Sequence, residues 1–173
     1  MHAFAFWKAV TRDRADFLDA FLSLLTDGAI RYCVVDGHAV NAYAEPLIDL
    51  DLDVAVITED IGRVKQLLSE RFHVEQFPHS INASAAGSQL RVQIQTDPRY
   101  AAFVPHATPR EVLGITLQVA AVEDVLQGKL WAFLDETRRG TKRQKDLADI
   151  GRLIEAYPHL RARVPREVLD RLV

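Results

Sequence analysis

The most constraining feature of this 173-residue sequence is a short alternating segment, residues 50–57, that contains two aspartates. Leu52 and Val54 are apolar, whereas Asp51 and Asp53 occupy the alternate positions. Because side chains of a β-strand alternate between its two faces, Asp51 and Asp53 must share one face. Paired carboxylates of this kind are typical of a site for a hard divalent cation. A solvent-exposed face of an edge strand is the alternative, although aspartate is a poor strand former and like charges repel.

The residues before this strand add a second constraint. We expect a short buried strand over residues 32–35, ended by Gly37, and then a short helix over residues 38–44. A glycine where a helix starts lets backbone N–H groups approach a phosphate, which the helix dipole also favours. A plain turn glycine is the alternative interpretation of Gly37.

Composition excludes several classes of protein. Hydrophobic residues make up 49% of the chain and charged residues 26%, which is ordinary for a globular protein, and the net charge of −3 does not indicate a broad nucleic-acid surface. The single cysteine, Cys33, lies in an apolar run and is expected to be buried and reduced. The six histidines lack zinc-site spacing. We see no signal peptide and no apolar run of about 18 residues, so we expect a cytoplasmic protein without membrane spans.

The rest of the chain alternates between helix and strand patterns. Apolar spacing predicts helices over residues 13–26, 59–71, 122–135 and 143–156. Further strands are expected over residues 73–77, 89–95 and 115–119, with a polar turn over residues 78–87. The layout predicts an α/β (α+β) fold in which helices flank a mixed β-sheet and a helical hairpin ends the chain. We expect one domain, residues 1–173, with a sheet core over about residues 28–120 and a helical part over 121–173.

The order of these features resembles the nucleotidyltransferase superfamily, in particular AbiEii/AbiGii-type proteins. Their pattern is a Gly-Gly or Gly-Ser pair at a helix start, followed about a dozen residues later by Asp-x-Asp. Gly37 and His38 fall on the first motif, and Asp51 and Asp53 fall on the second. The resemblance implies that Asp51 and Asp53 bind the metal ion and that the amides of Gly37 and His38 bind phosphate.

The resemblance continues in the C-terminal helices, where the family has a lysine and then an Arg-x-x-Asp motif. Lys129 matches the lysine, and Arg143 and Asp146 match the second motif. It implies that Lys129 contacts nucleotide phosphates and that Asp146 faces the site as a base or an orienting carboxylate. From the residues alone, Lys129 and Asp149 would be surface residues, and Arg143 and Asp146 would form a surface ion pair. The basic cluster over residues 138–145 is a solvated segment or a contact for phosphate or RNA.

Three residues depart from the family pattern near the first two motifs. Asp36 replaces the first glycine, His38 replaces the serine, and Leu47 stands where arginine is common. A serine hydroxyl could contact phosphate, whereas an imidazole would crowd it. His38 therefore either lines the site or is a substitute without function.

A further departure concerns the third carboxylate, which the family has on a later strand. The matching segment, residues 90–95, offers Gln93 and Gln95 on its outward face. An amide adds no negative charge and cannot act as a general base. Asp49 and Asp97 are the candidates to replace it, although Asp97 is expected in a turn.

Two functions follow from these observations. The first is Mg²⁺-dependent (or Mn²⁺-dependent) transfer of a nucleotide from an NTP to an unknown hydroxyl acceptor on RNA, protein or a small molecule. The second is a catalytically inactive module that binds a nucleotide or a protein partner, as part of a toxin–antitoxin type system. The candidate residues are Asp51, Asp53 and Asp146 for catalysis, the first two also for the metal, and Gly37, His38, Lys129 and Arg143 for the nucleotide.

Overall fold

The centre of the fold is a mixed sheet whose strands run in the spatial order β3-β4-β5-β2-β1-β7-β6. The computed structural model describes residues 7–9 and 16–173 of the chain. The strands are β1 (Tyr32–Val35), β2 (Asp51–Val56), β3 (His73–Gln76), β4 (Ser80–Ser84), β5 (Arg91–Gln95), β6 (Thr108–Val112) and β7 (Ile115–Val119).

Helices cover the sheet and form a C-terminal hairpin. From residue 16 onward, the α-helices are α1 (Phe17–Asp27), α2 (Asp36–Asn41), α3 (Ile61–Ser69), α4 (Val122–Leu134), α5 (Gly140–Ala156) and α6 (Arg166–Leu169). The same part of the chain contains 3₁₀ segments over Thr58–Asp60, Pro98–His106 and Pro158–Arg163. None of the helices in the described ranges has the length and apolar character needed to cross a membrane.

The pairing of the central strands positions the two aspartates. Strand β2 runs antiparallel to β1, with Asp53 opposite Val35, and parallel to β5, with Asp53 opposite Gln93. Because β1 and β2 are antiparallel, the end of β1 lies beside the start of β2. The residues that follow Val35 therefore lie next to Asp51 and Asp53. With a neighbour on each side, β2 is a central strand, so the edge-strand alternative is wrong.

The predicted fold class is confirmed, and the main error concerns residues 78–87. That segment was expected to be a turn, but it contains β4, which pairs with both β3 and β5. Its apolar residues, Ile81 and Ala83, are buried and alternate with the serines and asparagine of the strand. The two neighbouring strands provide the hydrogen bonds, so tertiary pairing overrides the local polar composition.

Other predicted elements are found with shifted ends, and one strand was missed. Helix α1 begins at Phe17, and residues 13–15 of the predicted helix lie outside the described residues. A 3₁₀ turn precedes α3, so that helix begins two residues later than expected. Strand β6 was not predicted, because Pro109 within it is unfavourable in a strand; β6 lies at the sheet edge, where proline is tolerated.

Cys33 lies in the centre of β1, without exposure to solvent, and burial raises the pKa of its thiol to about 12. Only the thiolate is nucleophilic, so the folded protein should resist alkylation. At pH 8 we expect iodoacetamide to label the native chain roughly 100-fold more slowly than the urea-unfolded chain. Mass spectrometry of timed samples measures both rates, with glutathione as the reactive control. Rapid stoichiometric labelling of the native protein would contradict the buried position of β1.

Candidate active site

A narrow cleft of about 100 Å³ opens where the adjoining ends of β1 and β2 face α4 and α5. Its walls combine acidic, basic and amide side chains at close quarters. The acidic residues are Asp36, Asp49, Asp51, Asp53 and Asp146, the basic residues are Lys129, Arg138, Lys142 and Lys145, and the amides are Gln93 and Gln95. Both aspartates of β2 therefore face the same cleft, as the strand alternation predicts.

The two β2 aspartates are held by residues of β5, but in different ways. Asp51 Oδ1 accepts a hydrogen bond from Arg91 Nε at 2.7 Å, and Asp53 Oδ1 accepts one from Gln95 Nε2 at 3.0 Å. Burial raises the pKa of Asp53 well above its ordinary value, and the carboxylates of Asp36, Asp51 and Asp49 raise it further. Negative charge is thus concentrated around Asp53, which makes this part of the cleft a favourable place for a cation.

Asp36 contributes a carboxylate that the sequence did not predict at this site. It has a left-handed backbone with φ of 60°, a conformation natural to the glycine it replaces and tolerated by aspartate. Its side chain forms an ion pair with Lys129. Burial alone would raise the pKa of Asp36, but the charge of Lys129 outweighs it and lowers the pKa. The aspartate therefore keeps the backbone geometry of the glycine and adds a buried ion pair.

Gly37 allows a carboxylate to lie against the start of α2. A Cβ atom at this position would collide with Asp49 Oδ2. The same Asp49 oxygen lies 2.8 Å from Nζ of Lys145, a side chain on α5 that is 53% exposed. The carboxylate of Asp49 therefore lies between Gly37 and the ammonium group of Lys145.

His38 supports this arrangement from the core. Its side chain is buried, its ring packs on Trp7 with 4.6 Å between centroids, and its Nε2 is 3.0 Å from the carbonyl oxygen of Asp49. Burial lowers the pKa of His38. The imidazole therefore does not line the cleft, and for nucleotide binding by His38 only its backbone amide remains as a prediction.

Lys129 is buried at the floor of the cleft, with 2% of its surface exposed. Its Nζ pairs with Asp36, with Asp146 at 3.2 Å and with Asp149 at 2.8 Å. Burial alone would lower the pKa of Lys129, but Asp36, Asp149 and Asp146 together raise it. The surface positions expected for Lys129 and Asp149 from the residues alone are wrong: Asp149 is 1% exposed and also binds Arg152. We call Lys129 and its three aspartates the Lys129 cluster.

Asp146 and Arg143 do not form the surface ion pair that their spacing allows. Asp146 is fully buried and accepts hydrogen bonds from Lys129 and from Arg138 Nε, the latter at 2.7 Å. Arg143 instead donates to the carbonyl oxygen of Phe133 at 2.8 Å and lies over its ring. Asp146 thus reaches the cleft, whereas Arg143 joins α5 to the end of α4.

The basic segment over residues 138–145 divides between the cleft and the remaining surface. Arg138, Lys142 and Lys145 line the cleft, whereas Arg139 does not. Lys142 and Lys145 are three residues apart on α5 and share one helix face, which was the signal that could have identified them, whereas Arg138 lies in the turn before α5.

Asp51 and Asp53 could hold a divalent metal ion that has further ligands from outside the chain. Within residues 7–9 and 16–173, no three acidic, histidine or cysteine side chains converge closely enough to bind an ion alone. Asp97 caps a 3₁₀ helix and binds Arg99 at 2.8 Å, so it does not provide the third carboxylate. Mg²⁺ in proteins is commonly bound by one or two carboxylates together with substrate phosphates and water. Asp51 and Asp53 meet that requirement.

Comparisons with known proteins agree with this geometry. Residues 39–172 match the family described as nucleotidyl transferase AbiEii toxin, Type IV TA system. The fold is similar to that of the antibiotic-resistance factor ANT(2'')-Ia, with a TM-score of 0.55, 12% identity and coverage of 84% of this chain and 90% of that chain. It is also similar to the lincosamide antibiotic adenylyltransferase LnuA, with a TM-score of 0.53, 12% identity and coverage of 82% and 99%. No curated protein sequence matches the chain.

Replacing Lys129 with methionine should strongly destabilise the protein, because the aspartates of the Lys129 cluster would lose their shared cation. Breaking a buried ion pair by removing one partner costs about 3–5 kcal/mol. We expect the free energy of unfolding, measured by urea denaturation, to fall by that amount in Lys129→Met. Lys142→Met removes an exposed lysine of the same cleft and should change stability by less than about 0.5 kcal/mol. Equal denaturation midpoints for the two variants would show that the Lys129 cluster does not hold the helices.

Proposed function

The chain belongs to the AbiEii family of nucleotidyltransferases, and we propose that it transfers a nucleotide from a nucleoside triphosphate to a hydroxyl acceptor. The observation that supports this most is that carboxylates and ammonium groups line the same cleft. Asp51 and Asp53 line it from β2, and Lys142 and Lys145 line it from α5. A metal–triphosphate complex needs both kinds of partner at once.

Asp51 and Asp53 would hold Mg²⁺ or Mn²⁺. Bound there, the metal would supply charge neutralisation for the attacking and leaving oxygens of an in-line displacement. Burial, and then repulsion by the other cleft carboxylates, raises the pKa of Asp53, and a divalent cation would relieve the repulsion. Gln93 and Gln95 offer neutral oxygen atoms on the neighbouring strand, so the two aspartates carry the charge of the metal site.

Lys145 and Gly37 would bind the triphosphate after Asp49 leaves the place that it fills. The cleft of about 100 Å³ is smaller than the roughly 300–1,000 Å³ of ordinary ligand pockets, so it must widen. The Lys145–Asp49 and Arg91–Asp51 pairs are the ones to open, since their cations are exposed to solvent and water can replace the lost contact, unlike in the buried Lys129 cluster. Phosphate oxygens would then replace the Asp49 carboxylate between Gly37 and Lys145.

The Lys129 cluster would stay in place during this change, because buried pairs are costly to break. Asp146 then acts as an orienting carboxylate that holds Lys129 and Arg138, rather than as a base. Lys129 would not contact the phosphates directly. Its positive charge, buried behind Asp36, would attract them. The direct phosphate contacts would then come from Lys145, Lys142 and Arg138.

In the proposed reaction an acceptor hydroxyl oxygen attacks the α-phosphorus. A new oxygen–phosphorus bond forms, the bond to pyrophosphate breaks, and the hydroxyl proton passes to Asp49, the cleft carboxylate that neither the metal nor Lys129 would hold. The acceptor is an RNA end, a protein side chain or a small molecule. We place the reaction in the cytoplasm, where nucleoside triphosphates are available.

A second candidate function is a nucleotide-binding module without catalysis, which would act through a protein partner in a toxin–antitoxin pair. The observation that favours it is the hydrogen bond from Gln95 to Asp53, where the family has a carboxylate. Such a module would bind the metal–nucleotide complex but release no pyrophosphate with any acceptor.

Nucleotide binding should depend on Mg²⁺ and on the two aspartates of β2. We expect isothermal titration of ATP, GTP, CTP and UTP to detect binding of at least one nucleotide to the wild type with Mg²⁺. Asp51→Asn/Asp53→Asn should abolish it, because neutral amides cannot hold the metal against its hydration shell. Asp19→Asn, on the exposed face of α1, is the control and should bind as the wild type does. If the wild type fails to bind at millimolar nucleotide, the proposed function is wrong.

Lys145 should contribute to triphosphate affinity through direct contact. Hydrogen bonds to charged groups contribute about 1.5–3 kcal/mol, so Lys145→Ala should weaken binding of Mg²⁺–NTP by roughly 10- to 100-fold. Arg139→Ala removes a neighbouring cation that does not line the cleft, and its effect should stay within about twofold. Titration of both variants with the same nucleotide gives the comparison. Equal losses would indicate a general effect of surface charge.

A further inference from the structure

A larger chamber of about 480 Å³ adjoins the cleft on the side of β5. Gln95 and Arg138 border both the chamber and the cleft. The chamber extends from these residues to the 3₁₀ helix over Pro98–His106 and to the end of α4. It is large enough for a nucleoside, whereas the cleft is not.

One wall of the chamber is aromatic. The ring of Trp131 is stacked on Phe103 with 5.5 Å between centroids and 5° between planes, and it meets the edge of Tyr100 at 5.6 Å. The guanidinium of Arg99 lies over the Trp131 ring at 4.3 Å. The Arg99 side chain is 53% exposed and is tied to Asp97. The Trp131 indole is therefore held by Phe103 and Tyr100. Its ring is covered by the exposed Arg99 side chain, which a ligand could displace.

We propose that this chamber binds the base of the donor nucleotide, which stacks on Trp131 in place of the Arg99 guanidinium. The inference rests on the proposed function and extends it by a specificity-determining residue. A triphosphate between Gly37 and Lys145 would place its α-phosphate near Asp53. The nucleoside would then pass Arg138 and Gln95 into the chamber.

The chemistry of the chamber suits a planar base better than an acceptor hydroxyl. Its two carboxylates are both occupied, Asp97 by Arg99 and Asp135 by Thr137, and these hydrogen bonds lower the pKa of each. Neither is a good proton acceptor for a hydroxyl. An aromatic platform, by contrast, suits every base, because each has a π-face.

Intrinsic fluorescence can test the inference on the unmodified protein, since the chain has only two tryptophans. Trp7 is buried and packs on His38, so a ligand in the chamber should affect Trp131 alone. With Mg²⁺ present, we expect a nucleoside triphosphate to quench the fluorescence. Inorganic tripolyphosphate, which has the phosphates without a nucleoside, should bind without quenching.

Calorimetric titration of Trp131 variants gives the second measurement. Stacking of a base on an aromatic side chain contributes about 1–3 kcal/mol, so Trp131→Leu should weaken nucleotide binding by roughly 5- to 150-fold. Its affinity for tripolyphosphate should stay within about twofold of the wild type, which also shows that the variant is folded. Trp131→Phe keeps an aromatic face and should recover most of the lost affinity.

Each outcome has one meaning. Nucleotide binding that is equally tight in Trp131→Leu, or a wild-type quench that tripolyphosphate reproduces, overturns the assignment and leaves the chamber to the acceptor. Binding of neither nucleotide nor tripolyphosphate to the wild type is instead the failure of the proposed function.

Discussion

The buried ammonium group of Lys129 is the constraint on which the rest of the site depends. A charge at this depth is tolerated only when it is paired, and Asp36, Asp146 and Asp149 provide the partners from the end of β1 and from α5. Because an ion cluster with fixed geometry tolerates little displacement, it holds α4 and α5 against the sheet. The hairpin of α4 and α5 is therefore fixed in the position in which its other basic residues line the same cleft as the β2 aspartates.

Burial divides the ion pairs of the cleft into a fixed set and an exchangeable set. The Lys129 cluster is buried, whereas the cations of the Arg91–Asp51 and Lys145–Asp49 pairs are 60% and 53% exposed. Breaking the buried cluster costs several kcal/mol, whereas breaking the two pairs with exposed cations costs less, because water can solvate the freed cation. Ligand entry can thus rearrange the mouth of the cleft while its floor stays rigid. The rigid Lys129 cluster keeps the phosphate site preorganised, and the exchangeable ion pairs at the entrance allow a ligand to reach it.

The local pattern was sufficient to predict that Asp51 and Asp53 lie on the same face of β2, because side chains alternate between the two faces in any sheet. It was insufficient for Lys129 and Asp149, since helical spacing does not reveal what packs against a helix, and only the chain as a whole brings their partners together. The conformation of Asp36 was equally hidden, because a left-handed aspartate has no sequence signature of its own. The prediction of a turn over residues 78–87 was wrong for a related reason. The hydrogen bonds of β4 come from neighbouring strands, which the local composition does not reveal.

The departures of this chain from the family pattern can be described as a change in the distribution of charge on the two sides of β2. A carboxylate is absent on the β5 side, where Gln95 donates to Asp53, and one is gained on the β1 side at Asp36. The gained carboxylate is neutralised by Lys129, so it does not replace the missing base. On the β5 side the neutral amides of Gln93 and Gln95 line the cleft, next to a chamber whose wall is aromatic. The charged groups of that chamber are paired with one another or with the cleft, as Arg99 is with Asp97 and Arg138 with Asp146, so the aromatic face of Trp131 is the group left to recognise a base.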